Sequence, residues 1–184
     1  MSTQIGNTAG GDVVARDKIV ETHFHGGPVT ALSRLYQILR DDDKAANYTA
    51  RIAEMLHHYC AAQSADVRGL EEKLRVSGRA YLVDDAVDLK QRAAKLIMRW
   101  QTSPVTQDII THVLAKIHQA FMFTVRPAIE GGATLIQVDQ LINDNVIEPT
   151  CQMLGENDLG ITPIDIAGLL FFLGGNCHVR WDKC

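Results

Sequence analysis

Thr162-Pro163-Ile164-Asp165-Ile166-Ala167-Gly168-Leu169-Leu170-Phe171-Phe172-Leu173-Gly174-Gly175 carries its own start, its own face and its own stop. Thr162 is a capping residue, and Pro163 suits the first helical position, where a missing N–H costs nothing. Asp165 places a carboxylate at the positive end of the helix dipole, and Gly174-Gly175 supplies a termination. Between these signals the side chains are apolar nearly all round. A helix of that kind is buried on several sides, in the core or at a subunit contact, so this stretch predicts helices packed around a central apolar helix.

Downstream, Asn176-Cys177-His178-Val179-Arg180-Trp181 alternates like a short strand. Its natural partner lies at the other end of the chain. Residues 1–27 are rich in glycine and β-branched residues and poor in helix formers, which is strand and turn chemistry. Val13-Val14 and Ile19-Val20 flank the polar Ala15-Arg16-Asp17-Lys18, as in a tight hairpin, and Ile5, Val14, Ile19 and Phe24 recur at nearly five-residue steps. A hairpin alone is marginal in water. The arm is therefore expected to dock on the body or on another chain.

After Gly26-Gly27-Pro28 the period becomes helical. Val29, Leu32, Leu35, Tyr36 and Leu39 form one stripe, ending before Asp41-Asp42-Asp43. Ala45, Tyr48, Ile52, Met55, Leu56 and Tyr59 form a second. A short segment around Leu70 and Leu74 leads through Ser77-Gly78 into a third run from Tyr81 to Trp100. A fourth, from Val105 to Val125, is expected to end at Arg126-Pro127, because the residue before a proline disfavours helix. Gly131-Gly132 breaks the chain, and the face from Leu135 to Val146 is expected to kink or stop at Pro149. The predicted fold is mainly α: a helical bundle (28–184, ending in a short strand) with a small β appendage formed by the N-terminal arm (1–27) and the C-terminal strand.

Composition narrows the function classes. The 184 residues are 46% apolar, 22% charged and 6% aromatic, with a net charge of −4. That fits a single helical domain built on aliphatic side chains, and it argues against the broad basic field of a non-specific nucleic-acid binder. No apolar run is long enough to span a membrane, and the first twenty residues lack the basic start and apolar middle of a secretory signal, so a soluble cytoplasmic protein is expected. Cys60, Cys151, Cys177 and Cys184 are scattered without a CxxC pair, so reduced thiols are expected.

Each chemically suggestive constellation has a plainer reading. Cys177-His178 are neighbours on an expected strand and point to opposite faces, which keeps the imidazole from the thiol. His23-x-His25 with Cys177, His178 and Cys184 forms a conceivable zinc or thiol centre, the enzyme alternative, although it lacks the close ligand pairs of structural zinc sites. His57-His58 read as one boundary and one surface residue, and His112 and His118, six residues apart, do not share a helix face for metal binding. The glycines at 6, 10 and 11 match no phosphate-binding loop, so no cofactor is expected. Arg68, Lys73, Arg75, Arg79, Lys90, Arg92, Lys95 and Arg99 interleave with acidic residues as on a solvated face. A stripe of that kind leaves direct nucleic-acid binding as the weakest alternative.

Two stretches carry a family resemblance. Gly6-Asn7-Thr8-Ala9-Gly10-Gly11-Asp12-Val13-Val14-Ala15-Arg16-Asp17-Lys18 is similar to the glycine- and aspartate-rich β motif that precedes certain prokaryotic conflict-system modules, with Ala15 where that motif usually has glycine. Leu169 to Trp181 resembles the closing helix and GNCHIRW-like strand of C-terminal domains from ABC-three-component systems of the Lamassu-like antiphage type. The resemblance implies an assembly module rather than an enzyme: an oligomer working with an SMC-like ABC ATPase and an effector chain. On that reading Val13, Val14, Ile19, Val20 and Phe24 of the arm, and Trp181 of the terminal strand, are the expected assembly contacts.

Overall fold

The structure, a computed structural model, describes residues 31–62 and 68–182. The arm lies outside the described residues, with Val13, Val14, Ile19, Val20, His23, Phe24 and His25, and so does Cys184. The helices are α1 (Ala31–Leu39), α2 (Asp42–Ala46), α3 (Ala53–Cys60), α4 (Leu70–Val76), α5 (Val83–Arg99), α6 (Pro104–Ala120), α7 (Arg126–Glu130), α8 (Leu135–Ile142), α9 (Glu148–Leu154) and α10 (Pro163–Gly175). A 3-10 turn, Ala80–Leu82, precedes α5. Two π turns, Phe121–Val125 and Asn143–Ile147, join α6 to α7 and α8 to α9.

The apolar terminal helix α10 sits inside the protein. It packs chiefly along α5 and also touches α4, α6 and α9. Ile166, Leu169 and Leu173 are fully buried, each burial contributing about 1.5–3 kcal/mol relative to exposure. Gly168 sets how closely α5 and α10 approach, because a Cβ there would lie 2.7 Å from the Leu89 carbonyl oxygen and 3.4 Å from the Ala93 Cβ. Both obstacles belong to α5 itself, so neither can swing aside. At the helix start the Asp165 carboxylate accepts from the Thr162 N–H at 3.0 Å and from the Thr162 hydroxyl, which is the capping expected from the sequence.

The stripe from Ala45 to Tyr59 divides into two helices. Asp108, 2% exposed on α6, accepts from the Tyr48 hydroxyl at 2.6 Å and from the backbone N–H groups of Arg51 (2.9 Å) and Ile52 (3.1 Å). Those two amides stand at the start of α3, where a helix has no internal acceptor to offer. A carboxylate from a distant helix thus fixes where α3 begins. The segment between α2 and α3 is drawn onto α6 rather than continuing the helix.

Neither Pro127 nor Pro149 stops its helix. An interior proline removes one hydrogen bond and drives its ring into the carbonyl four residues back. Here each proline stands two residues beyond a π turn, and the residue before it reaches five residues back: Arg126 N–H to the Phe121 carbonyl, and Glu148 N–H to the Asn143 carbonyl. The wider turn relieves the clash, so both helices pass through. The two π turns also lie against each other.

The expected C-terminal strand is absent: residues 176–182 form turns, and no strand occurs among the described residues. Cys177 adopts φ +67° and donates its N–H to the Gly174 carbonyl (3.3 Å), while His178 donates to the Leu173 carbonyl (2.9 Å). These two bonds, with a left-handed residue just past the end of the helix, form a Schellman C-cap. The sequence alternation from 176 to 181 comes from a helix cap and a chain reversal. Gly174 and Gly175 stay helical, and they provide space: a Cβ on Gly174 would collide with the Trp181 ring, and one on Gly175 with the Lys90 side chain.

Candidate functional site

The turn after α10 gathers the chemistry-bearing residues of the C-terminal motif. Asn176 Nδ2 donates to the Tyr59 carbonyl at 3.0 Å, and His178 Nε2 lies 3.1 Å from the same oxygen and 3.2 Å from the Ala61 carbonyl. Two carbonyl partners require the proton on Nε2. These carbonyls close the C-terminal end of α3, which α3 cannot satisfy itself. Asn176 and His178 therefore act as a remote cap that ties α3 to the end of α10.

The His178 ring joins two other imidazoles. Its centroid is 5.0 Å from that of His58 on α3 and 5.9 Å from that of His118 on α6, with Tyr59 between them. Burial, reinforced by neighbouring imidazoles, holds both His118 and His178 below the usual histidine range. A histidine held low in the folded chain takes its proton at lower pH than in the unfolded chain. The cluster's stabilisation is thus complete above about pH 6.5, the unfolded value, and is lost as the pH falls below it. The melting temperature is expected to drop between pH 7.5 and 5.5, and His118→Gln should shrink that drop. A pH response unchanged by the substitution would assign it to other groups.

Lys73 and Arg79, expected on a solvated face, are 0% and 2% exposed. Lys73 Nζ donates to the Gly174 carbonyl at 3.0 Å, at the negative end of α10, and lies 3.0 Å from Cys177 Sγ. Arg79 donates from Nε (3.2 Å) and Nη2 (3.0 Å) to Asp139 on α8, whose other oxygen accepts from the Tyr81 hydroxyl at 3.2 Å. Other members of the basic stripe are also paired: Arg68 with Asp182 (2.9 Å), Arg75 with Glu71 (3.1 Å) and Arg92 with Asp165 (3.3 Å). Spacing alone could not show these partners, because several lie on helices far along the chain.

Trp181 is 3% exposed within the chain. It stacks on Phe171 (centroids 5.7 Å) and meets Phe121 edge-on (5.6 Å). Beside it a cleft of about 290 Å³ opens between Tyr81, Leu82, Ile142, Ile147, Leu170 and Phe171, with Arg79 and Asp139 also lining it. Tyr81, 62% exposed, is the aromatic group this face presents to solvent. The sequence pattern places Tyr81 at the head of the third apolar run; it is exposed instead, with its hydroxyl bonded to Asp139.

Cys177 and His178 come together with Lys73 and the α3 carbonyls rather than with each other as thiol and base. Among the described residues no group of three or more His, Cys, Asp or Glu side chains is placed to hold a metal ion. No described helix is long and apolar enough to cross a membrane.

No curated protein and no solved structure matches the chain. The family model of C-terminal domain 9 of the ABC-three component (ABC-3C) systems matches residues 69–181, from the residue capping α4 to the buried Trp181. The match takes in α4 to α10 and the turn that binds them, more than half of the chain, and this protein therefore belongs to the C-terminal domain 9 family of the ABC-three component systems.

Proposed function

We propose that the protein is a non-catalytic assembly component of a bacterial ABC-three-component antiphage system. It holds copies of itself together and couples an SMC-like ABC ATPase to an effector chain in the cytoplasm. The observation that carries this reading is the family match over 69–181. The tasks of the matched motif residues support it: Asn176 and His178 cap α3, and Trp181 fills the core. The exposed face around Tyr81, with an apolar cleft and a tyrosine at its rim, has the composition of contact surfaces.

The arm is assigned the oligomeric contact, through Val13, Val14, Ile19, Val20 and Phe24. Deleting residues 1–27 is expected to lower the mass measured by light scattering after size exclusion, while the helical circular dichroism persists. An unchanged mass would remove the arm from the assembly. Co-purification of the full chain with the ABC ATPase of its own three-component system tests the coupling, and failure of the two to associate would overturn it.

A further inference from the structure

We propose that Lys73 and Cys177 form an oxidation-dependent covalent cross-link, a bridge of one oxygen atom between Nζ and Sγ. The two atoms are 3.0 Å apart. That separation is too long for a direct S–N bond, and a single bridging oxygen spans it with little movement.

Three features of the fold hold the pair together. Lys73 is fully buried on α4, and its Nζ is aimed by the bond to the Gly174 carbonyl. Cys177 occupies the left-handed position of the Schellman cap, where glycine is usual and a side chain carries a conformational cost. The two bonds of the cap, to Gly174 and Leu173, fix its Cα and so direct the thiol at the amine. Cys177 is partly exposed, so a small oxidant reaches it although the lysine is enclosed.

The oxidant is dissolved dioxygen, and the step balances. The Sγ–H bond and one N–H bond of the neutral amine break, and S–O and O–N bonds form. Sulfur and nitrogen each give up two electrons, and dioxygen accepts all four. One of its oxygen atoms becomes the bridge, and the other leaves as water with the two hydrogens. A lysine that starts as ammonium also releases one proton to solvent. Cysteine oxidised to the sulfenic level is known to condense with nearby nitrogen, so sulfur–nitrogen coupling has chemical precedent. The link joins residues 104 apart in sequence and fastens the end of α10 to α4. Because closing a long loop constrains the unfolded chain, the oxidised form should melt at a higher temperature.

The test is mass spectrometry of the full chain purified in air. A gain of about 14 Da is expected, one oxygen added and two hydrogens lost, along with a tryptic species joining the Lys73 and Cys177 peptides. Dithiothreitol should remove both and lower the melting temperature. Cys177→Gly, which suits the left-handed backbone and therefore folds, should show neither the mass gain nor the dithiothreitol-sensitive stability. An unchanged mass overturns the proposal, as does oxygen on Cys177 without a cross-link, or the two-hydrogen loss of a disulfide with another cysteine.

Discussion

Trp181→Ala is expected to destabilise the protein by about 3–5 kcal/mol. The indole is buried between Phe171, which stacks on it, and Phe121, which meets it edge-on, with the bare backbone of Gly174 beneath. These neighbours belong to α10 and to the π turn after α6. Both are held by the rest of the core, so the space left by the ring cannot collapse. At roughly 2–4 °C per kcal/mol for a chain of this size, the melting temperature should fall by about 6–20 °C. Thermal melts at several protein concentrations also separate two roles for the residue. A fall that is the same at every concentration marks Trp181 as an internal strut. A loss appearing only on dilution, with the concentrated protein unaffected, would return it to the role of assembly contact.

The helical character of the chain and its central helix were legible in the sequence. The signals at Thr162, Pro163 and Asp165 are local, and local chemistry is what a sequence displays. The misread features depend on partners far along the chain or on backbone geometry without a residue signature. Pro127 looks like a helix end, and Pro149 like a kink or an end, because proline clashes with a regular α-helix, and nothing in the residue types announces the π turns that absorb them. The stripe from Ala45 to Tyr59 looks continuous until Asp108 takes the Arg51 and Ile52 amides.

The same holds for the site. Lys73 and Arg79 sit among acidic residues at helical spacing, which describes a solvated face until Gly174 and Asp139 arrive from other helices. Residues 176–181 alternate like a strand in residue type only: Asn176, Cys177 and His178 are all half-buried in the cap, and Val179 and Trp181 turn into the core as the chain reverses. The signal that distinguishes the two is slight: a helix end placed directly before Cys177 leaves no room for a strand and calls for a left-handed residue. Cysteine in that position disguised the cap.

Asp108→Ala should be the most damaging polar substitution among the described residues, at about 3 kcal/mol or more. The buried carboxylate receives the Tyr48 hydroxyl and two backbone amides, and because these donors are part-buried, each left unsatisfied costs about 1 kcal/mol, the low end for an unmet donor. The loss should be felt locally first. Hydrogen exchange at the Arg51 and Ile52 amides should accelerate, because α3 would have lost the acceptor that fixes its start, while α5 and α10 keep their protection. Asp108→Asn provides a separate reading. Tyr48 is pushed up to about 12, chiefly by burial and then by its hydrogen bond to Asp108 and that residue's charge. An amide removes the charge, so ultraviolet titration should show the phenol ionising at lower pH, though still above the ordinary tyrosine value because burial remains. The direction comes from the carboxylate's preference for the neutral, donating phenol. A Tyr48 titration unchanged in the asparagine variant would show that Asp108 and Tyr48 do not meet. Rapid exchange at Arg51 and Ile52 in the unaltered protein would show that the carboxylate does not cap α3.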